Sequence, residues 1–184
     1  MPVSSLDPAG TALVLVDLQR GVVGRDVGPH PADTVVENAV QLAEAFRAAG
    51  APVVLVRTEP GEGPPQPVDV GGTGRQPVLG DVIEELRPQG DVTVVKRTWG
   101  AFHRTDLDAE LRGRGVVTVV LAGLATNFGV ESTARAAHEH GYAVVVVEDA
   151  TSSTDAAMHE FAVTRVLPFL ARVTTTSAVI AALG

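Results

Sequence analysis

Residues 12–19 read Ala-Leu-Val-Leu-Val-Asp-Leu-Gln, an apolar run that ends in a carboxylate. Because the run is short, rich in Val and Leu and free of polar alternation, it predicts a strand covered on both faces, as in a parallel sheet. Asp17 follows five apolar residues directly. A buried charge is unfavourable unless it is paired, so this stretch predicts both a central strand and an ion pair at its carboxyl end.

Short apolar runs of the same kind recur along the chain and alternate with amphipathic helical patterns. The runs are 12–16, 52–56, 92–95, 116–122, 143–147 and 172–174, and the helical patterns are 32–49, 106–114, 130–140 and 155–170, with shorter ones at 81–86 and 177–183. This alternation predicts a three-layer α/β/α fold with an open, mainly parallel six-stranded sheet and right-handed crossovers. The length of 184 residues suits one domain, so residues 1–184 are predicted to form a single domain.

The composition excludes several classes of function. The formal net charge is −8, from 14 Lys and Arg against 22 Asp and Glu, so we expect no nucleic-acid partner. The chain has no Cys, which excludes a disulfide framework and every thiol nucleophile. No apolar stretch exceeds strand length, and the amino terminus lacks a basic region followed by an apolar core, so we expect a cytoplasmic protein with no membrane partner.

Polar residues follow the apolar runs, at the sheet edge where open parallel sheets bind ligands. The runs end in Asp17 and Gln19, in Arg57, Thr58 and Glu59, in Lys96, in residues 123–127, and in Glu148 and Asp149. Asp17 and Lys96 are natural partners, and Lys96 is the only lysine among the 14 basic residues. Lysine can titrate or place a compact charge beside a carboxylate, which arginine cannot. A catalytic pair and a structural ion pair both remain open.

The sequence gives little support for a phosphate, dinucleotide or metal site. The Gly71-Gly72-Thr73-Gly74 stretch lacks the Lys of a phosphate loop, and no glycine fingerprint for dinucleotides follows the first strand. The five histidines have no metal-ligand spacing, so we expect them to be mostly solvated, with His103 as the one candidate site residue and with no metal or cofactor. Residues 59–80 are rich in Pro and Gly, which predicts a long loop, either a surface excursion or a lid or subunit-interface arm.

Four segments resemble, in order and at matching spacing, the motifs of the isochorismatase-like hydrolase family, which includes isochorismatases and cysteine hydrolases such as nicotinamidases. They are Leu13-Val-Leu-Val-Asp-Leu-Gln, Lys96-Arg-Thr-Trp-Gly-Ala-Phe-His-Arg-Thr-Asp-Leu, Gly123-Leu-Ala-Thr-Asn-Phe-Gly-Val-Glu-Ser-Thr-Ala and Gly141-Tyr-Ala-Val-Val-Val-Val-Glu-Asp-Ala-Thr. The resemblance covers nearly the whole chain. It implies a Rossmann-like fold, a small-molecule substrate and a homodimer or higher homo-oligomer.

The resemblance also implies which residues form the site. Asp17 and Lys96 would be catalytic, while Ala125 and Gly129 would occupy the oxyanion and nucleophile positions. A cis peptide bond is expected between Leu124 and Ala125. The expected substrate-binding residues are Gln19, Trp99, Thr126, Asn127 and Phe128.

The sequence departs from the family pattern at informative positions. Gly129 stands where the cysteine hydrolases have their nucleophile, so the covalent amidase route is not available. Isochorismatases also have Gly there and cleave a vinyl ether by Asp-assisted protonation and water addition. Thr126-Asn127, however, resembles the cysteine hydrolases more closely, and Gly100 replaces a usual Ser. Arg57-Thr-Glu-Pro replaces the metal-binding Asp-x-His of nicotinamidase-like members, so no metal is expected there.

Two classes of function follow from this sequence. In the first, the protein is a metal-free hydrolase of a small metabolite, in which Asp17 acts as general acid or base and Lys96 tunes it. In the second, it is a catalytically inactive family member that binds a small metabolite or a partner subunit. The retained Asp17 and Lys96 favour the enzyme. The loss of both the usual Ser, at Gly100, and the usual Cys, at Gly129, favours the binding protein.

Overall fold

Six parallel strands form one sheet in the order β3-β2-β1-β4-β5-β6. The fold is seen in a computed structural model that describes residues 5–61, 69, 79–87 and 89–183. The strands are β1 Thr11–Val16, β2 Val53–Thr58, β3 Val92–Lys96, β4 Thr118–Leu124, β5 Ala143–Ser152 and β6 Arg172–Thr174. The predicted α/β fold with an open parallel sheet is confirmed. The strand order reverses between β1 and β4, which is where such sheets form a ligand crevice.

The helices cover both faces of this sheet. They are α1 Arg20–Val23, α2 Ala32–Ala48, α3 Leu107–Gly113, α4 Glu131–Glu139, α5 Ala156–Phe161 and α6 Thr176–Ala182. The prediction of one helix over 155–170 is wrong, because α5 passes into a π-helical turn at Ala162–Val166 and a 3₁₀ turn at Leu167–Phe169. Pro168 lacks an amide hydrogen and cannot continue an α-helix. The helix predicted over 81–86 is a single 3₁₀ turn at Glu84–Leu86.

The apolar runs show no alternation because both faces of the sheet are buried. In β1, Leu13 and Leu15 pack in one hydrophobic cluster, while Val14 and Val16 pack in another. The first cluster includes residues of α2 and α6, and the second includes residues of α3 and α4. The strands therefore lie between two helical layers, which fixes their carboxyl ends at one common edge.

Gly123 allows β1 and β4 to approach closely at that edge. Its φ is +115°, and a Cβ built there would lie 2.1 Å from the carbonyl oxygen of Val16. Val16 and Gly123 are also partners in the strand register. Only glycine fits this approach, which brings the end of β1 beside the residues that follow β4.

Part of the predicted long loop lies outside the described residues. The residues outside the description are 62–68 and 70–78. They make up most of the segment that was interpreted as a surface excursion, a lid or a subunit-interface arm. In the portion of the chain that is described, no helix is both long enough and apolar enough to cross a membrane.

Candidate active site

Asp17 forms a tight turn immediately after β1. Its φ is +54°, in the left-handed region that Asp tolerates better than most residues. The amide of Asp17 donates to the carbonyl of Val56 at 2.9 Å, and the amide of Gln19 donates to the carbonyl of Asp17 at 2.8 Å. These bonds hold the turn, so the carboxylate is presented at the carboxyl edge of the sheet by backbone geometry.

The carboxylate of Asp17 is held by two side chains. Lys96 Nζ donates to Asp17 Oδ2 at 2.6 Å, and Thr58 Oγ1 donates to Asp17 Oδ1 at 2.9 Å. Lys96, which is only 2% exposed, also donates to the carbonyls of Trp99 at 2.9 Å and Thr98 at 3.3 Å. Since β2 lies between β1 and β3, Thr58 and Lys96 both reach Asp17 from the β2 side. The sequence pointed to Lys96, but Thr58 was not among the candidate site residues.

The protonation of Asp17 is set by opposing effects. Burial raises the pKa of the Asp17 carboxyl above its ordinary value, although the charge of Lys96 and the hydrogen bonds from Lys96 and Thr58 oppose this rise. The resulting carboxyl holds a proton more readily than an exposed aspartate does. A group of this kind suits proton donation near neutral pH better than an unperturbed carboxylate.

Gly129 lies directly against this ion pair. A Cβ built at Gly129 would lie 3.2 Å from Asp17 Oδ2, 3.5 Å from Lys96 Nζ and 3.0 Å from a methyl carbon of Val16. Gly129 belongs to a π-helical turn, Thr126–Val130, that follows β4. The peptide between Leu124 and Ala125 is cis, as the resemblance implies. The position that carries a nucleophile in cysteine hydrolases thus faces Asp17 and Lys96 here without a side chain.

The side chain of Gln19 forms hydrogen bonds with backbone groups. Its side chain is fully buried, and Nε2 donates to the carbonyls of Thr58 at 3.1 Å and Gly80 at 2.6 Å. Its Oε1 accepts from the amide of Thr58 at 2.7 Å. These bonds fix the end of β2, so the structure gives Gln19 a part in positioning Thr58 beside Asp17.

The remaining substrate-binding candidates divide into two groups. Trp99 and Phe128 form an edge-to-face aromatic pair with centroids 5.0 Å apart, and Trp99 is 53% exposed. Thr126 and Asn127 instead form hydrogen bonds with a residue of α5 and with the residue that follows β5, respectively. Thr126 Oγ1 lies 2.9 Å from His159 Nδ1, while Asn127 Oδ1 accepts from the Ser153 hydroxyl.

A second polar cluster contains His30, Glu148 and His159. His30 Nε2 lies 3.3 Å from Glu148 Oε2, and His159 Nε2 lies 4.0 Å from the same oxygen. His159 is 2% exposed, so the expectation that the histidines are mostly solvated is wrong for this residue. Burial, with the nearby His30, lowers the pKa of His159 to about 4, and the ring is neutral at neutral pH. His103, the histidine favoured from the sequence, is exposed.

Sequence spacing could not reveal this cluster, because His30 and Glu148 are 118 positions apart. An isolated antiparallel bridge between Gly28 and Ser153 brings the segment before α2 to the end of β5. No local periodicity encodes such a bridge. The expectation that the histidines form no metal-like set is therefore corrected by the tertiary structure.

The end of β2 is unsuited to the metal of nicotinamidase-like proteins. Arg57 pairs with Glu59 at 2.7 Å, and Arg97 pairs with the same carboxylate at 3.2 Å. Two guanidinium groups thus neutralise the carboxylate at the position where a metal would need anionic and imidazole ligands. The residues present after β2 do not fit a divalent cation.

The structure is a doubly wound parallel α/β sheet with a buried Asp–Lys ion pair at the point where the strand order reverses. Residues 11–178 match the Isochorismatase domain, and the chain belongs to the isochorismatase family, whose members are hydrolases. YecD, an isochorismatase family protein of Escherichia coli O157:H7, is 42% identical over 97% of this chain and 98% of its own length.

Two further relatives agree with this assignment. The ureidoacrylate amidohydrolase RutB of Methylobacterium radiotolerans is 31% identical over 98% of this chain and 82% of its own length. The structure of an isochorismatase family protein from Burkholderia thailandensis superposes with a TM-score of 0.84 at 40% identity, covering 100% of this chain and 98% of that one. The fold and the family are therefore shared over the full length of the alignment.

Proposed function

We propose that this protein hydrolyses a small metabolite by proton transfer through Asp17, without a covalent enzyme intermediate. The observation that carries the proposal is the position of Gly129, whose missing side chain leaves the Asp17–Lys96 pair facing a nucleophile position that holds no thiol or hydroxyl. A reacting atom of the substrate can approach Asp17 there. Family membership supports hydrolysis as the reaction class.

The vinyl ether cleavage of the isochorismatases that this chain resembles fits these groups. Protonated Asp17 donates its proton to the terminal methylene carbon, and a water molecule adds to the oxygen-bearing carbon. One proton of the added water returns to Asp17. The carbon–oxygen bond to the leaving group then breaks as the second proton passes to the leaving oxygen, which gives a ketone and an alcohol. No step requires an acyl-enzyme, so the absence of Cys is compatible with turnover.

The remaining residues have supporting roles in this proposal. Lys96 stabilises the carboxylate that forms when Asp17 loses its proton, and Thr58 fixes the orientation of the carboxyl group. Backbone amides of Ala125 and Gly129 bind an anionic or carbonyl oxygen of the substrate. Trp99 and Phe128 contact its apolar part, while Gln19 is a positioning residue. Thr126 and Asn127 support the site from the β5 side.

Turnover of a vinyl ether is the direct test. Wild-type protein is incubated with isochorismate as the probe, and pyruvate release is followed. We expect catalytic turnover that persists with metal-chelating buffer. If neither isochorismate nor a panel of small enol ethers and amides is turned over, while calorimetry detects metabolite binding, the alternative of a catalytically inactive binding protein replaces this proposal.

Lys96→Met should move the pH profile in a defined direction. The charge of Lys96 lowers the pKa of Asp17, so removing it raises that pKa further. Because the acid form of Asp17 is the active one, activity is lost as pH rises through this pKa. The high-pH limb of kcat/KM should therefore shift upward, with a lower maximal rate.

Arg97→Met provides the matched control for this shift. Arg97 is the next residue in the chain, but it is exposed and pairs with Glu59 rather than Asp17. Its removal should leave the high-pH limb in place. A limb that stays fixed or moves downward in Lys96→Met would contradict the assignment of Asp17 as the proton donor.

We also propose that the protein is a homodimer or higher homo-oligomer in the cytoplasm. Large apolar side chains are exposed around α5 and the turn after it, with Phe169 at 87% and Phe161 at 62% exposure. Burial of such side chains favours association. Light scattering at micromolar concentration should give at least twice the chain mass of 19.0 kDa. A mass equal to one chain would refute self-association.

A further inference from the structure

Three potential metal ligands converge from separate parts of the fold. His30 lies in the segment before α2, Glu148 is on β5, and His159 is on α5. One ligand atom from each lies within 4.8 Å of the other two, and this is the only such group of three or more that the described residues contain. The cluster is separate from the Asp17–Lys96 pair, because none of its members contacts either residue in the hydrogen bonds and ion pairs described above.

The donor set is chemically suited to a transition metal. Two imidazole nitrogens and one carboxylate form the protein ligands of many zinc sites and non-haem iron sites with an open position. Zinc bonds of about 2.0–2.2 Å place neighbouring ligand atoms of a tetrahedral site ~3.4 Å apart. The distance of 3.3 Å between His30 Nε2 and Glu148 Oε2 matches this value, and the distance of 4.0 Å between His159 Nε2 and Glu148 Oε2 requires only a small closure.

Surrounding contacts orient the ligands. Thr126 Oγ1 engages His159 Nδ1 at 2.9 Å, which leaves Nε2 as the nitrogen that faces Glu148. A second partner that fixes the ring of a histidine in this way is characteristic of metal sites. On the other side, paired backbone bonds of 2.8 and 3.0 Å between Gly28 and Ser153 hold the segment that carries His30. The arrangement is thus built by the backbone and does not depend on a surface side chain alone.

We propose that His30, Glu148 and His159 together bind one divalent transition-metal ion, with zinc as the first candidate. The ion joins the segment before α2 to β5 and α5, and it leaves a coordination position for water or a ligand. Thr126 connects this site to the residues beside Gly129, since both belong to the π-helical turn Thr126–Val130. The proposal is independent of the proton-transfer function assigned to Asp17.

Calorimetric titration with zinc chloride tests the site. The protein is prepared without a histidine tag and stripped with a chelator before titration. We expect one zinc ion per chain and a higher unfolding temperature in the presence of zinc, because a ligand that binds only the folded state stabilises it. With cobalt chloride, a visible ligand-field absorption should report nitrogen and oxygen ligation.

Variants of the partly exposed ligands provide the decisive comparison. The side chains of His30 and Glu148 are 28% and 34% exposed, so His30→Gln and Glu148→Gln should retain the fold. Each should weaken zinc binding at least tenfold, and Thr126→Val should weaken it about 10- to 100-fold through the orientation of His159. His103→Gln, at an exposed histidine outside the cluster, should bind zinc like the wild type.

Two results would overturn the proposal. The first is the absence of stoichiometric zinc binding by the wild type. The second is equal zinc affinity in wild type, His30→Gln and Glu148→Gln, with circular dichroism showing that all three are folded. Either result would leave the cluster as a hydrogen-bonded group without a metal.

Discussion

Asp17→Asn should lower kcat/KM for a hydrolysed vinyl ether by ~10² to 10⁴, the usual contribution of a positioned acid or base. Asparagine has nearly the shape of aspartate and can still accept the hydrogen bond from Thr58, but it has no acidic proton to donate. The loss should therefore be mainly in kcat. Initial rates over a range of substrate concentrations separate this effect from a change in KM.

The stability of Asp17→Asn must be measured alongside its activity, because Lys96 loses its charged partner. Lys96 keeps its hydrogen bonds to the carbonyls of Trp99 and Thr98, which limits the loss. Asp91→Asn is the matched control. It breaks the ion pair of 2.5 Å between Arg47 and Asp91, which lies next to the amino end of β3 and thus at the opposite edge of the sheet. Asp91→Asn should keep wild-type kcat. Comparable activity losses in both variants would exclude a specific role for Asp17.

Gly123→Ala should lower the free energy of unfolding by about 4 kcal/mol or more. Losses of this size arise from severe steric or burial defects. The added Cβ would lie 2.1 Å from the oxygen, 2.7 Å from the nitrogen and 2.8 Å from the carbonyl carbon of Val16. These are backbone atoms of a central strand, so no side-chain rotation relieves the overlap. Urea unfolding followed by circular dichroism measures the change, and we expect little folded protein at physiological temperature.

Gly141→Ala separates this overlap from the cost of a positive φ. Gly141 has φ +87°, and a Cβ there meets no atom within 4 Å. Its substitution should cost only the left-handed backbone penalty of about 1–2 kcal/mol. Equal destabilisation by the two substitutions would show that the close approach of β1 and β4 is not as the structure describes it.

The sheet could be predicted from the sequence because each strand carries a short apolar run. The carboxyl end of β5 could not, since the run stops at Glu148 while the strand continues to Ser152. Charged residues are accommodated there because they find partners. Asp149 Oδ1, for example, accepts hydrogen bonds from the amide and hydroxyl of Thr176, at 2.7 and 2.9 Å. These partners come from distant segments, which a local pattern does not reveal.

The ion pair of the candidate site was predicted because each of its residues broke a strong pattern in the sequence. Asp17 after an apolar run and Lys96 as the only lysine were such residues. Thr58 was placed at the same edge but given no role, because Thr is common in strands and only the fold shows that its hydroxyl donates to Asp17. The contacts of Gln19 with Thr58 and the grouping of His30 with His159 likewise depend on tertiary neighbours.

Because Lys96 is buried, its reaction with an amine-specific reagent reports whether this region of the protein has opened. No other lysine occurs in the sequence, so Lys96 is the only residue with a primary amine in its side chain. Lys96 is 2% exposed and its ammonium group is held by Asp17 and two carbonyls. An acylating reagent should therefore leave Lys96 untouched in the folded protein and label it only when the molecule opens. Mass spectrometry of the acylated chain would then record the opening of this one region without any engineered probe.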